Sequence, residues 1–245
     1  MRNILIYTAL WKRPEITKIC FEGIKRLQDY DRTRFNIKVL CVVSSDSDKH
    51  LCNDYGFNYC TADNKPLGKK WNTGLRFALD NLNWEYLIQI GSDDLLDGHL
   101  LESYELVMQK GWHHAGVRDL YFVEPTERKA IKYTYSSRFL RLIGAGRIFS
   151  RTALDTTYPL WDDNLNKSLD HSSENRLILA GYPPYFIETD EPRVIDIKSV
   201  VNIWPYSHIE DGGQGEGVDI DEALSFVGVK ERKLIDELCT IPQEA

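Results

Sequence analysis

Two adjacent carboxylates follow directly on an apolar run. Residues 86–90 lead into Gly91-Ser92-Asp93-Asp94. Hard cations such as Mg²⁺ and Mn²⁺ take oxygen ligands, and one or two protein carboxylates leave coordination positions open for a substrate's phosphates. The same pair would also serve to cap a helix starting near His99, so the motif alone leaves both roles open. A second cluster, Asn64-Lys65-Pro66-Leu67-Gly68-Lys69-Lys70-Trp71-Asn72, joins a glycine to lysines at a helix start. Free N–H groups and the helix dipole suit such a segment to a nucleotide or phosphate. It lacks the spacing of a Walker A loop, and a capped helix with solvated lysines is the plain alternative. A third cluster runs from Leu169-Asp170-His171 through Glu174 and Arg176 to Gly181-Tyr182. Asp170 is either a helix cap or, facing a crevice, a general base.

These residues need elements to position them. Short apolar runs at 4–8, 37–43, 57–60 and 86–90 have strand length, and Ile16, Ile19, Ile24 and Leu27 recur at helical spacing within 14–30. Trp71, Leu75, Ala78, Leu79 and Leu82 mark one face of another helix, and a further helix is expected at 99–110. Alternating strands and helices predict a mostly parallel sheet with helices on both faces, whose ligands bind beyond the carboxyl ends of the strands. The polar segments 8–13, 44–48 and 92–94 all fall at such ends. Farther on, strands are expected at 120–123, 130–136, 185–188 and 193–197. A helix is expected at 170–180, closed by Gly181. Residues 211–217 form a glycine-rich flexible stretch, and 218–240 a helical tail.

The chain has 245 residues, 42% hydrophobic and 27% charged, with a mean hydropathy of −0.39. No window approaches the roughly 20 apolar residues of a membrane span, and the apolar N-terminus is too short for a signal-peptide core. Five cysteines without a CxxC pair point to reduced thiols and a cytoplasmic setting. A net charge of −7 disfavours general nucleic-acid binding while leaving room for a local basic groove.

In this order and at these separations, the three clusters resemble those of family-2-type glycosyltransferases with the GT-A fold. Gly91-Ser92-Asp93-Asp94 is similar to that family's acidic turn, with Gly in place of the first Asp. Asn64…Gly68…Asn72-Thr73-Gly74 resembles its Asn-x-Gly…Asn-x-Gly segment. Asp170, Arg176 and Gly181-Tyr182 repeat its spacing, with Leu169 where a Glu would stand. The resemblance implies a Rossmann-like, mostly parallel α/β sheet flanked by helices, with a small antiparallel acceptor-side extension and a helical C-terminal tail. A nucleotide-sugar-binding half would cover 1–105, an acceptor-side half 106–210, and a glycine-rich loop with helical tail 211–245. Asp94 would bind Mn²⁺ or Mg²⁺ at the donor diphosphate, with His208 as a late-chain metal ligand. Thr8, Arg13, Lys69, Asn72, Ser92 and Asp93 would contact the donor. Asp46 would substitute for the family's base-reading Asp, whose place Ser44-Ser45 occupy. Asp170 would deprotonate the acceptor hydroxyl, giving inversion. Apart from the resemblance, Lys198 or Arg147 is a candidate to neutralise the leaving diphosphate, with a solvated or structural role as the alternative. A UDP-sugar is the favoured donor. The acceptor is open, with a glycan first and a hydroxylated DNA base second; Trp112, His113, His114, Tyr158 and Trp161 are aromatic candidates to stack on a sugar.

Two rival readings stand beside this one. A nucleotidyltransferase would carry a glycine-rich loop after the first strand, and segment 8–14 has no glycine. The same lack excludes a Rossmann dehydrogenase. A non-catalytic nucleotide- or sugar-binding module is the other alternative.

Overall fold

The computed structural model describes residues 1–135, 142–198, 206–211 and 215–239. Strand β1 (Arg2–Ala9) runs parallel to β2 (Phe35–Val43), and β2 runs parallel to β3 (Asn58–Thr61). The connections are α1 (Pro14–Tyr30), α2 (Asp46–Tyr55) and, leaving β3, α3 (Leu67–Asn81). The chain then returns to the far side of β1 as the parallel strand β4 (Tyr86–Gln89). The direction of strand addition therefore reverses between β1 and β4, which is where open α/β sheets bind their ligands. Beyond α4 (Leu100–Gln109), β6 (His114–Gly116), β9 (Arg147–Ser150) and β10 (Tyr185–Phe186) complete a seven-stranded sheet, ordered β10-β6-β9-β4-β1-β2-β3. Within it β9 is antiparallel to both β4 and β6.

Alternating side chains of the central strands feed two cores. Ile4, Ile6, Val39 and Cys41 pack on α1, α2 and α4; Leu5, Tyr7, Leu40 and Val42 pack on α3 and on α5 (Arg151–Thr157) and α6 (Leu169–Leu179). Burial on both faces explains why β2 reads as an unbroken apolar run. A second, five-stranded sheet, ordered β12-β8-β7-β11-β5, comprises β12 (Gly215–Val218), β8 (Lys129–Thr134), β7 (Asp119–Glu124), β11 (Val194–Ile197) and β5 (Asp94–Leu96). It packs on α1, α8 (Ile220–Ala223) and α9 (Val229–Leu238) through a third apolar cluster.

Several expectations require correction. The glycine-rich stretch is partly a strand, since β12 pairs antiparallel with β8. A Cβ on Gly215 would fall 2.1 Å from Ile131, so this glycine permits a close strand approach. The C-terminal tail is two helices rather than one. Asp94 begins strand β5, and the residue serving the start of α4 is Asp97, whose Oδ1 accepts from His99 N at 3.1 Å. The capping alternative for the acidic turn is thereby removed. Among the described residues no helix is long and apolar enough to cross a membrane.

Candidate active site

The acidic turn closes the C-terminal end of β4, where the sheet switches direction. Gly91 N donates to Asp94 Oδ2 at 2.5 Å, and a Cβ on Gly91 would lie 2.6 Å from Asp93 Oδ1 and 3.1 Å from Asp94 Oδ2. Both carboxylates fold back over this glycine, and a side chain there would displace them. Arg13, at the entry to α1, donates from Nη1 to Asp93 Oδ2 and from Nη2 to Ser92 Oγ, each at 2.8 Å. Arg13 thus joins the β1 and β4 loops and offsets the charge of Asp93. Asp94 has no ion-pair partner among the described residues. Instead it faces Asp196, its directly opposed residue on the antiparallel strand β11. Burial, with Asp93 and Asp196 nearby, pushes the Asp94 carboxyl well above its ordinary range; Asp196 is pushed up to about 6, chiefly by burial.

Opposed carboxylates, here a buried Asp94 and a partly buried Asp196, are unfavourable unless something positive answers them. Lys198 answers part of the charge, with Nζ 2.7 Å from Asp196 Oδ2, while Asp196 Oδ1 is buried without a hydrogen-bond partner. No three His, Cys, Asp or Glu side chains among the described residues gather closely enough to hold a metal ion by themselves. Asp94 and the orphaned Asp196 oxygen nevertheless fit a hard cation whose remaining positions a ligand's phosphates would fill. Asp196 was missed in the sequence. Its only signal is a charge within the apolar run of β11, with a lysine two residues on. His208 is carried on α7 (Tyr206–Asp211), with its side chain outside the described residues.

Farther along the same edge, Thr8 is fully buried at the end of β1 and its Oγ1 has no partner. Asp46 is exposed and paired with Lys49 at 2.7 Å. Asp48, two residues on, is the buried carboxylate, with an unpartnered Oδ2. Lys69 is likewise exposed, whereas Lys70 is buried and donates from Nζ to Leu10 O at 2.5 Å and to Asn64 Oδ1 at 3.1 Å. Burial lowers the Lys70 amine to about 8, against the opposing pull of Asp48. Of each neighbouring pair, Asp48 and Lys70 are thus turned into the protein and Asp46 and Lys69 out of it. Asn72 is also withdrawn from donor contact: Nδ2 donates to Trp161 O and Asp163 Oδ1, each at 2.7 Å, and Oδ1 accepts from Trp161 N at 3.1 Å.

The start of α3 is closed to a phosphate. Leu67 N donates to Asn166 Oδ1 at 3.0 Å and Gly68 N to Leu165 O at 2.9 Å. A Cβ on Gly68 would sit 1.9 Å from Asp162 O, so this glycine serves a close backbone approach.

Asp170 stands in the first turn of α6, half-buried, and its carboxylate accepts no hydrogen bond among the described residues. It lies against Gly144, two residues before Gly146, whose N donates to Gln89 O at 2.8 Å. Asp170 is thereby tied to the same end of β4 as the acidic turn. Arg147, expected near a diphosphate, is wholly inside the protein at 0% exposure, and its donors go to Ile143 O, Leu142 O, Asp170 O and Ser173 Oγ. Arg176 donates to Pro159 O. Trp161 and His114 are fully buried and cannot stack on a sugar; Tyr158 is covered by Arg76, and Trp112 packs on Tyr185.

No family model matches the sequence, and no curated protein matches it. Solved structures do. S. aureus TarS 1–349 superposes with a TM-score of 0.58 at 14% identity, over 80% of this chain and 60% of that one. Its complex with UDP-GlcNAc gives 0.56 at 15%, over 98% of this chain and 71% of that one. The mannosyltransferase PcManGT from Pyrobaculum calidifontis, in complex with GDP-Man and Mn²⁺, gives 0.55 at 13%, over 95% and 71%. CMP:2-keto-3-deoxy-manno-octonic acid synthetase complexed with CTP gives 0.53 at 11%, over 86% and 97%. The reversal between β1 and β4, the acidic turn at that reversal and these superpositions together give this chain the GT-A fold.

Proposed function

We propose that this chain is a divalent-metal-dependent glycosyltransferase. It would move a sugar from a nucleoside-diphosphate sugar, UDP-sugars first, to an acceptor hydroxyl with inversion of configuration. The carrying observation is the pair of dissimilar carboxylate sites at one end of β4: buried Asp94 opposed to the partly buried Asp196, and Asp170, half-buried with its oxygens unengaged by any described residue. Asp94, with Asp196, would hold Mn²⁺ or Mg²⁺, which when bound would supply positive charge at the leaving diphosphate. Arg13 keeps Asp93 and Ser92 in place for the donor. Asp48 and Thr8, each with an oxygen left unpartnered among the described residues, are the candidates for the nucleoside end. Asp170 accepts the proton of the attacking hydroxyl on the side away from the leaving group, which is what inversion requires.

UDP-GlcNAc and GDP-Man in the superposed glycosyltransferases support a nucleotide-sugar donor. The acceptor is a glycan in this reading, with a hydroxylated DNA base as the alternative, and the free cysteines accord with a cytoplasmic setting. The test is a panel of nucleotide sugars measured by thermal shift with and without Mn²⁺. We expect one UDP-sugar to raise the melting temperature only with Mn²⁺, and Asp94→Ala to lose that rise; equal shifts in the variant would overturn the metal site. Asp170→Asn should keep donor binding and lose transfer.

The superposition on a CTP-bound synthetase favours one second reading, a nucleotidyltransferase acting on a sugar phosphate. Pyrophosphate release from CTP or UTP with a sugar phosphate would establish it; release of a nucleoside diphosphate from a nucleotide sugar would exclude it.

A further inference from the structure

The surroundings of Asp170 contain more than its role requires. Gly144 lies so close to the carboxylate that a Cβ there would stand 2.7 Å from each Asp170 oxygen and 2.8 Å from Cγ, and these are its nearest contacts. Gly144 is not held in the left-handed region, so its lack of a side chain answers to space. The turn bearing it is fastened by Arg147: Nε to Ile143 O at 2.8 Å and Nη2 to Leu142 O at 2.7 Å. The same guanidinium fastens the helix turn that bears Asp170, with Nη1 3.0 Å from Asp170 O and 3.3 Å from Ser173 Oγ. Its charge is matched by Glu174 at 3.6 Å, both side chains being 0% exposed. A buried ion pair adds little stability over apolar replacements, so its worth lies in where it holds things.

We propose that the turn at 142–147 is a clamp for Asp170: Arg147 is a positioning residue that locks turn to helix, and Gly144 leaves just enough room for one orientation of the carboxylate. The inference rests on the reading of Asp170 as the base, and explains what keeps such a base aimed.

Gly144→Ala tests it. The three atoms nearest that Cβ all belong to the Asp170 carboxyl, a side-chain end that can give way, so the fold should survive while the carboxylate swings away. The first readout is the carboxyl ¹³C resonance of Asp170, assigned by its absence in Asp170→Asn. It should move in Gly144→Ala and, by a smaller amount, in Arg147→Lys, while other Asp resonances stay. The second is UDP release from UDP-GlcNAc with Mn²⁺, water serving as acceptor. Here kcat should fall about 10–100-fold with KM within twofold, as expected for a misaimed group in an otherwise intact site. A thermal midpoint near wild type in Gly144→Ala separates this from general loosening. An unmoved Asp170 resonance overturns the clamp whatever the turnover. A moved resonance with Asp170→Asn still fully active retains the clamp and overturns the base.

Discussion

His114 makes the region behind the clamp sensitive to acid, by an amount the structure allows to be worked out. It is fully buried on β6, stacked on Phe149 with ring centroids 5.2 Å apart. Burial, with the nearby Arg147 charge, lowers its imidazole from an ordinary 6.5 to about 3. Between these values the unfolded chain takes up a proton that the folded chain refuses. Stability therefore falls as pH drops from 6.5 toward 3, and His114 contributes no pH dependence above that window. At about 1.4 kcal/mol per pH unit, the loss is roughly 2 kcal/mol by pH 5 and about 5 kcal/mol over the whole interval. His114→Gln removes the titration at similar volume. Urea unfolding of both proteins at pH 7, 6, 5 and 4 should show the wild type losing about 2 kcal/mol more than the variant between pH 7 and 5. Parallel curves, or an NMR titration placing His114 near 6.5 in the folded protein, would refute the reasoning.

Asn72→Ala should cost about 3 kcal/mol in urea unfolding, since three hydrogen bonds to the Trp161–Asp163 segment are lost, with donor affinity unchanged in the folded fraction. Gly68→Ala should cost roughly 3 kcal/mol or more, or prevent folding, because its obstacle is the Asp162 backbone rather than a movable side chain. Asp48→Asn should weaken UDP-sugar binding in isothermal titration by roughly tenfold or more, whereas Asp46→Asn should leave it unaltered; the reverse order would return the donor contact to Asp46.

Local patterns made the framework readable. The apolar period of α1 and the unbroken run of β2 arise from what each segment buries, so they survive without knowledge of the partner. The spacing from Asp170 to Gly181 is a property of one helix and its C-terminal stop, and Gly181, at φ +88°, closes it as expected. What could not be read was helix phase and distant pairing. Lys69 and Lys70 are neighbours in sequence but about 100° apart around α3, and only the tertiary fold decides which one enters. Asp46 and Asp48 differ in the same way on α2. The glycine and asparagine of the α3 segment look like phosphate ligands until the distant 161–166 segment arrives and occupies them. Asp196 belongs beside Asp94 only because β11 pairs antiparallel with β5.

The two ends of the proposed reaction differ in how their charges are arranged, and that difference argues for distinct roles. At the acidic turn, Arg13 takes Asp93 and Lys198 takes one oxygen of Asp196, leaving Asp94 with a backbone N–H alone. The charged form of this one buried carboxyl, where the sheet reverses, is therefore disfavoured until something positive answers it. At Asp170 a cation is also close, but its donors are spent on backbone carbonyls and Ser173, and Glu174 offsets its charge. Arg147 thus acts on Asp170 through geometry, leaving the carboxylate oxygens unengaged by any described residue. The N-cap position of α6 belongs to Ser168, whose side chain makes no cap bond, and Asp170 stands inside the first turn. A buried carboxyl whose ionised form needs a positive neighbour suits capture of a cation with its anionic ligand, and a held but unsatisfied carboxylate suits receipt of a proton.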